Sequence, residues 1–263
     1  MTPDDLPPWM IRSHCFHMVC SPARCIEMVT RLLQLRKMID LPPSASSHGL
    51  GNRPFIIWEP VPDRCIPEEL DNTFEALKYV DIVSPNHQEL AGLFGFQHGT
   101  SIDRNIVSSQ AKRFLSIGVG SGSNDQTGPL SAGLSLGSVV VRCGKEGCFY
   151  AGLGLQAWLP AYHQDAERVV DPTGGGNGFL GGLAIGYLRA IEQPPVGKLR
   201  EACLYATVAA SFCIEQVGVP KLTTKQTNEA DETWNGVSVM ERLAEYRRRT
   251  TFPPSSGLRD RKH

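Results

Sequence analysis

The chain has 263 residues, enough for one large domain or two small ones with a substantial core. Hydrophobic residues make up 41% of it and charged residues 20%, which are ordinary values for a water-soluble globular protein. The net charge of −1 argues against a surface built to contact nucleic acid, and no apolar run is long enough to span a membrane. Eight cysteines without a CxxC pair argue against zinc and favour free thiols in a reducing, cytoplasmic compartment.

Segments typical of strands and helices alternate along the chain. Buried-type strands are predicted at residues 15–19, 55–58, 80–83 and 138–142, with a hairpin partner for the last at 148–150. Helices are predicted after Ser21-Pro22, from Glu68, and at residues 86–93, 106–115, 175–190, 197–217 and 240–249. Residues 1–12 and the basic tail 250–263 are expected to be disordered, and 118–137 is expected to be a mobile surface insertion.

Repeated strand–helix units predict an α/β fold, a mainly parallel sheet with helices on both faces. Ligands of such sheets bind beyond the carboxyl ends of the strands. Glu59, Pro85, Gly144 and Asp171 each lie at the predicted carboxyl end of a strand. We therefore expect one edge of the sheet to gather the glycine-rich stretch after Asp171, the Asn86 segment and the Gly144 turn.

The stretch from Arg168 to Leu183 carries the strongest signal: a short β-branched strand, a glycine turn and then a helix. Consecutive glycines that open a helix leave backbone N–H groups unpaired beside the positive end of the helix dipole, which favours an anion such as phosphate. Two alternatives remain open. Residues 176–181 also fit the GxGxxG dinucleotide fingerprint, although no second strand with a ribose-binding acid follows, and the glycines are also compatible with a purely structural turn.

Four segments resemble, in the same order, elements of the PfkB or ribokinase family of sugar kinases. Residues 171–179, Asp-Pro-Thr-Gly-Gly-Gly-Asn-Gly-Phe, are similar to the family's signature D-T-x-G-A-G-D-x-F. Asn86-His-Gln-Glu89 resembles its N-x-x-E element, residues 139–147 its nucleotide-binding strand and turn, and Glu59-Pro60 the D-P that ends an earlier strand. Residues 206–218 resemble the helix beside the adenine pocket. The Gly-Gly-Gly-Asn form looks closest to the fungal maintenance-of-killer branch of the family.

The resemblance implies a ribokinase-like kinase domain over residues 13–249 that uses ATP and Mg²⁺, with a sugar-like molecule as the acceptor. It assigns charge stabilisation on the transferred phosphoryl group to the N–H groups of Gly174, Gly175 and Gly176, and places Asn177 where the family has its general base. It implies that Glu89 organises Mg²⁺ through water. The remaining positions that it implies for nucleotide binding are Asn86, Arg142 (in place of the family's Thr), Gly144, Gly147 and Thr207, with Asp171 and Thr173 near a monovalent-cation site.

The substitution at Asn177 decides what activity to expect, because a neutral amide has no basic site near pH 7. We expect phosphoryl transfer to be weak or lost. Asn177 is also a good helix N-cap, and the pair Asn177-Gly178 is of the kind that deamidates readily, which would restore an aspartate. For Asn86 and Glu89 the structural alternative is a capping asparagine and a solvated glutamate.

The family's N-terminal elements, including its sugar-binding motif, have no match before residue 13. We therefore expect an N-terminally incomplete fold with an open sheet edge at residues 15–19, which would recruit a protein partner or a second copy. Three functions remain: an ATP-dependent kinase with reduced activity, a non-catalytic nucleotide-binding module, and a dinucleotide-dependent enzyme. None of them needs a membrane or nucleic acid.

Overall fold

The computed structural model describes residues 1–39, 53–96, 101–122, 137–152, 154–190, 193–223 and 232–251 of the chain. Six strands in these ranges form one sheet, in the spatial order of their numbers. They are β1 (Cys15–Cys20), β2 (Phe55–Pro60), β3 (Ile82–Val83), β4 (Ser138–Arg142), β5 (Cys148–Gly152) and β6 (Leu155–Leu159). The first four run parallel, and β5 and β6 continue the sheet antiparallel. The predicted α/β fold with a mainly parallel sheet is confirmed.

Helices cover both faces of this sheet. The helices of the described residues are α1 (Pro8–Ile11), α2 (Pro22–Met38), α3 (Leu70–Leu77), α4 (His87–Leu93), α5 (Arg104–Ile117), α6 (Gly175–Arg189), α7 (Pro195–Cys213) and α8 (Val239–Thr251). One hydrophobic core lies between the sheet face that carries Trp58 and the four helices α2, α3, α4 and α5. A second lies between the opposite face, which carries Ile57, and the helices α6, α7 and α8. The alternation of side chains along β2 therefore divides the molecule into three layers.

The N-terminal segment differs from the expectation of disorder. Pro3–Asp5 forms a 3-10 turn and α1 follows it. Asp4 accepts hydrogen bonds from Arg31 of α2, and the buried Arg36 of α2 donates to the carbonyls of Ile11 and Ser13. The prolines and acidic residues of this segment suggested a solvated tail, but basic residues of α2 lie close enough to bind it.

Most predicted strands agree with the structure to within one or two residues. β1, β2 and β4 lie where the apolar runs place them, and Ser21 caps α2 by accepting a hydrogen bond from Arg24 N–H. The third strand is shorter than predicted, only β3, since Asp81 turns its carboxylate to Arg53 and to the N–H of Ile56. β6 was not predicted at all, because its sequence lacks the β-branched residues that mark the other strands.

The strand predicted directly before the glycine turn is wrong. Residues 166–168 form a 3-10 turn, and Val169 and Val170 are 37% and 59% exposed. Val170 N–H donates to the carbonyl of Ile214, just beyond α7, instead of pairing with another strand. β-branched residues favour a strand only where a neighbouring strand offers partners, and the sheet of the described residues has none at this position.

Glycines on one face of α6 bring α6 and α7 into close contact. A Cβ on Gly178 would meet Cys213 Sγ at 2.5 Å, and one on Gly182 or Gly186 would lie 2.7 Å from atoms of α7. The spacing of four residues places all three on the same side of the helix. These three glycines therefore serve helix packing, which fixes the direction of α6 and so the position of its first turn.

A small antiparallel sheet follows α7, with β7 (Leu222–Thr223), β8 (Thr233–Trp234) and β9 (Val237–Ser238). Asn235, at a φ of +51°, donates hydrogen bonds to Glu215 and to the Phe212 carbonyl, which attaches this sheet to the end of α7. Most of the insertion predicted at 118–137 and of the tail at 250–263 lies outside the described residues. Among the helices that the structure describes, none is both long enough and apolar enough to cross a bilayer.

Candidate functional site

The carboxyl ends of three neighbouring parallel strands meet at one edge of the sheet. Glu59 lies near the end of β2, Asn86 follows β3, and Arg142 ends β4. Arg142 N–H donates to the carbonyl of Pro85 at 3.0 Å, and Asn86 and Arg142 form an isolated parallel bridge. The expectation that this edge gathers the Asn86 segment and the end of β4 agrees with the geometry.

Arg142 is the centre of an ion cluster at this edge. Its Nη2 lies 2.5 Å from Oε1 of Glu59 and 3.4 Å from Oε2 of Glu89, and it also donates to the Ser84 carbonyl at 3.1 Å. The three charged side chains are 13%, 12% and 6% exposed. One guanidinium is therefore shared by the buried carboxylate of Glu89 and the nearly buried carboxylate of Glu59.

The two carboxylates differ in their electrostatics. Burial by itself raises the pKa of Glu59, but its hydrogen bond to His17 Nε2, at 3.2 Å, and the charge of Arg142 outweigh burial and hold that pKa below its ordinary value. Burial also raises the pKa of Glu89, and there the N–H of Asn86 and the charge of Arg142 do not offset it. Glu59 is thus the firmly ionised partner of Arg142.

Asn86 and Glu89 form a capping box at the start of α4. Asn86 Oδ1 accepts from the N–H groups of Gln88 and Glu89, and the Glu89 carboxylate accepts from Asn86 N at 2.7 Å and from Asn86 Nδ2 at 2.6 Å. The capping role considered for Asn86 is therefore present. The solvated glutamate of the same alternative is not, since Glu89 is buried.

The glycine turn opens α6 with its amides directed away from the helix. Gly174 is the N-cap at a φ of +83°, a conformation that glycine adopts without strain. Gly175 N–H donates to the carbonyl of Pro172, while no hydrogen bond from the N–H of Gly176 or of Asn177 occurs in the described structure. Asn177 is exposed in the first turn and is not the N-cap, so the capping role considered for it is wrong.

Arg142 links the ion cluster to the glycine turn. A Cβ on Gly176 would lie 2.8 Å from Nη1 of Arg142, so a side chain at this position would force the guanidinium to shift. The same side chain contacts the carboxylates through Nη2. Nη1 of Arg142 therefore lies beside the first turn of α6, where unpaired backbone amides and the positive end of the helix dipole favour an anion.

The residues before the turn are held by α7. Asp171 Oδ1 accepts from Thr173 N–H at 2.9 Å, which holds the pKa of Asp171 below its ordinary value. The N–H groups of Val170 and Asp171 both donate to the carbonyl of Ile214. Asp171 and Thr173 thus lie beside the glycine turn, as expected, but on an irregular segment and not at a strand end.

The other positions predicted to bind nucleotide differ in their surroundings. Gly144 begins a 3-10 turn after β4 and Gly147 follows it, both at positive φ, and a Cβ on Gly147 would collide with the Leu159 carbonyl at 2.0 Å. Packing against β6 therefore explains Gly147, whereas Gly144 has open space beside it. Thr207 is buried within α7 and donates its hydroxyl hydrogen to the Cys203 carbonyl, so nothing described brings it to the cluster.

The sequence did not predict the roles of two members of the cluster. Its position at the carboxyl end of a predicted strand placed Glu59 at this edge, but no signal paired it with Arg142. No sequence signal pointed to His17. His17 lies on an edge strand, and only the register of β1 on β2 places it beside Glu59.

Comparison with known proteins places these features in one family. The model of the pfkB family of carbohydrate kinases matches residues 61–225. The chain is 34% identical over 258 residues to an uncharacterised protein of Schizosaccharomyces pombe, covering 93% of this chain and 62% of the relative. It is 31% identical over 242 residues to the protein MAK32 of Saccharomyces cerevisiae, covering 89% of this chain and 56% of the relative. The chain thus spans less than two thirds of the length of these relatives.

Solved structures show the same fold at low sequence identity. The ribokinase of Giardia lamblia aligns with a TM-score of 0.57 and 18% identity, over 82% of this chain and 60% of that one. A fructokinase of Vibrio cholerae, crystallised with fructose, ADP and calcium, aligns with a TM-score of 0.52 and 17% identity, over 83% of this chain and 59% of that one. The ribokinase-like fold predicted from the sequence is confirmed, as is the resemblance to the maintenance-of-killer branch.

Proposed function

Because the chain belongs to the pfkB family of carbohydrate kinases, we propose that it binds ATP with the phosphates at the first turn of α6. In the same proposal, phosphoryl transfer to a sugar-like hydroxyl is weak or lost. One observation supports ATP binding. Nη1 of Arg142 lies beside Gly176, and the N–H groups of Gly176 and Asn177 have no hydrogen-bond partner among the described residues. A phosphate oxygen is the kind of acceptor that such a group of donors stabilises.

The loss of activity in the proposal rests on Asn177. By the match to the family signature, Asn177 stands at the general base, and its amide cannot take a proton from the attacking hydroxyl near pH 7. Loss of a general base lowers a rate by about 10²- to 10⁴-fold. Positioning and electrostatic stabilisation supply much of the catalysis of phosphoryl transfer, so a slow residual reaction is compatible with the proposal.

A second candidate is a nucleotide-binding module without any transfer. It is favoured by the same substitution at Asn177. The dinucleotide alternative loses support, because Gly178, the middle glycine of that fingerprint, packs against Cys213 of α7 and is explained without a ligand.

The residues present suit one of the two predicted cations better than the other. Asp171 is a partly exposed carboxylate beside the glycine turn, which is a suitable oxygen donor for a monovalent cation. Glu89 fits Mg²⁺ poorly, since three hydrogen bonds already occupy its buried carboxylate. ATP and a monovalent cation at Asp171 and Thr173 therefore remain in the proposal, and Mg²⁺ at Glu89 does not.

Two further expectations stay proposals. β1 is one of the two edge strands of the described six-stranded sheet, which keeps the proposal of a protein partner or a second copy at this edge. A cytoplasmic location is supported only by the eight cysteines, all of which are free thiols.

Asn177→Asp tests the proposed function. Wild type and variant are compared for ATP binding by calorimetry and for ADP release in the presence of ribose, fructose or inositol, the acceptors named by kinases that the chain resembles. We expect both proteins to bind ATP and the variant to turn over about 10²- to 10⁴-fold faster. Asn105→Asp, which adds the same charge to the first turn of α5, is the matched control and should leave both quantities unchanged.

The outcomes separate the candidates. Peptide mass analysis first confirms that position 177 of the wild type is still asparagine and has not deamidated. Equal binding without turnover in either protein would favour the non-catalytic module. Absence of ATP binding in both proteins would refute the proposal.

A further inference from the structure

Two carboxylates of the site, neither more than 12% exposed, face a single cation, and that cation is a side chain. Glu59 Oε1 and Glu89 Oε2 both lie within salt-bridge distance of Nη2 of Arg142, at 2.5 and 3.4 Å. Glu59 and Glu89 come from different elements, β2 and the start of α4, and the guanidinium lies between them. In a metal site built on these two residues, this is the position that the ion itself would take.

The other oxygen atoms near Glu59 and Glu89 in the described structure do not provide a second place for a metal ion. The Glu89 carboxylate accepts from Asn86 N, from Asn86 Nδ2 and from Arg142, which uses three of its approximately four acceptor directions. Mg²⁺ requires an octahedral shell and usually keeps several waters, for which a side chain that is only 6% exposed offers little space. Within the described ranges, no cluster of three histidine, cysteine, aspartate or glutamate residues is arranged to hold a metal ion.

The other end of the guanidinium faces the glycine turn. Nη1 of Arg142 makes no hydrogen bond within the described residues and lies 2.8 Å from the position of a Cβ on Gly176. Nε is buried and has no partner there either. An arginine keeps its charge at every accessible pH, and its planar fork matches phosphate oxygens. Arg142 therefore has one nitrogen committed to carboxylates and another directed to the anion site.

We propose that Arg142 takes the place of the divalent cation in this site, so that the chain binds a nucleoside di- or triphosphate in its metal-free form. The proposal rests on the nucleotide binding proposed above and adds which form of the nucleotide is bound. Removing the guanidinium should then expose the pair Glu59 and Glu89 to a metal ion.

The dependence of ADP binding on metal tests the proposal without any substitution. ADP affinity of the wild-type chain is measured by calorimetry in EDTA and in excess Mg²⁺. We expect the two dissociation constants to agree within about threefold, whereas a site that needs the Mg²⁺ complex loses most of its affinity in EDTA. ADP binding only with Mg²⁺ would overturn the inference and leave the proposed function intact. Absence of binding under both conditions would remove both.

Arg142→Thr, which installs the family's usual residue, supplies the second test. In EDTA its ADP affinity should fall at least tenfold below that of the wild type, since charge-assisted hydrogen bonds to phosphate are lost. Titration with Mn²⁺ alone, followed by electron paramagnetic resonance, should show binding to Arg142→Thr and none to the wild type. Tight Mn²⁺ binding to the wild type, or unchanged metal-free ADP binding in the variant, would overturn the proposal.

Two further proteins guard against trivial loss of folding. Arg142→Lys keeps the charge without the fork, and we expect its metal-free ADP affinity to lie between those of the wild type and Arg142→Thr. Arg64→Gln removes the same charge from an exposed pair with Glu69 and should behave as the wild type. Thermal unfolding of all four proteins identifies any variant whose fold is lost, and the comparison of EDTA with Mg²⁺ in the wild type then decides.

Discussion

Arginine–carboxylate clusters lie at both ends of the same parallel strands, and they differ in what surrounds them. At the amino edge, Arg53 precedes β2 and Asp81 precedes β3. Nη1 of Arg53 lies 2.6 and 2.7 Å from the two oxygens of Asp81, and the N–H of Ile56 donates to one of them at 2.7 Å. One charge meets one countercharge, and both side chains are almost fully buried.

At the carboxyl edge one arginine faces two carboxylates. Arg142 is shared by Glu59 and Glu89, and its second terminal nitrogen faces the first turn of α6. The amino-edge pair is closed, in that each charge has one countercharge, and it holds β2 beside β3. The carboxyl-edge cluster is open in the sense that Nη1 of Arg142 makes no hydrogen bond among the described residues and so keeps a donor for a ligand. Partner number and an unused donor, more than residue type, distinguish the two clusters.

The largest stability effect should come from breaking the closed pair. Asp81→Ala leaves Arg53 buried without its countercharge, and we expect the free energy of unfolding to fall by about 3–5 kcal/mol. Urea denaturation followed by circular dichroism measures the change. Asp63→Ala, at an exposed position in a 3-10 turn, is the matched control. A loss below about 1 kcal/mol would show that the amino-edge pair does not hold the strands together.

Breaking the open cluster should have a smaller effect on stability. Glu59→Gln weakens the bonds to Arg142 and His17, but Glu89 still pairs with the guanidinium, so we expect a loss of about 1–3 kcal/mol at pH 7. Because the pKa of Glu59 is held below its ordinary value of about 4.3, its contribution is complete above that pH and is lost as the pH falls through the folded-state pKa. Urea denaturation of both proteins should therefore give curves that converge in acid. A difference that grows below pH 4 would contradict this account.

The smallest effect should come from a pair that belongs to neither edge. Arg64 and Glu69 meet at 3.3 Å with Arg64 more than half exposed, so solvent screens their attraction. Arg64→Gln should change the free energy of unfolding by about 0–1 kcal/mol, measured in the same urea titration. A loss as large as that of Glu59→Gln would mean that burial does not distinguish the two edges from the surface.

Local sequence pattern predicted the parts of the fold that depend on neighbouring residues. Buried β-branched runs gave β2 and β4, and apolar spacing gave α5 and α8 to within three residues. The same logic failed for Val169 and Val170, which have the composition of a strand but lie exposed beside the end of α7. Whether such a run becomes a strand depends on partners that lie far away in the sequence.

The sequence by itself determined the α/β alternation, the family and the glycine turn that opens α6. Each of these is written in adjacent residues or in a motif of a few positions. Only the tertiary structure decided that Arg142 meets Glu59, 83 residues away, and that its other nitrogen lies against Gly176. Strand register and the packing of α6 on α7 set those distances, because the direction of a long side chain follows from the elements around it and not from its own neighbours in the chain.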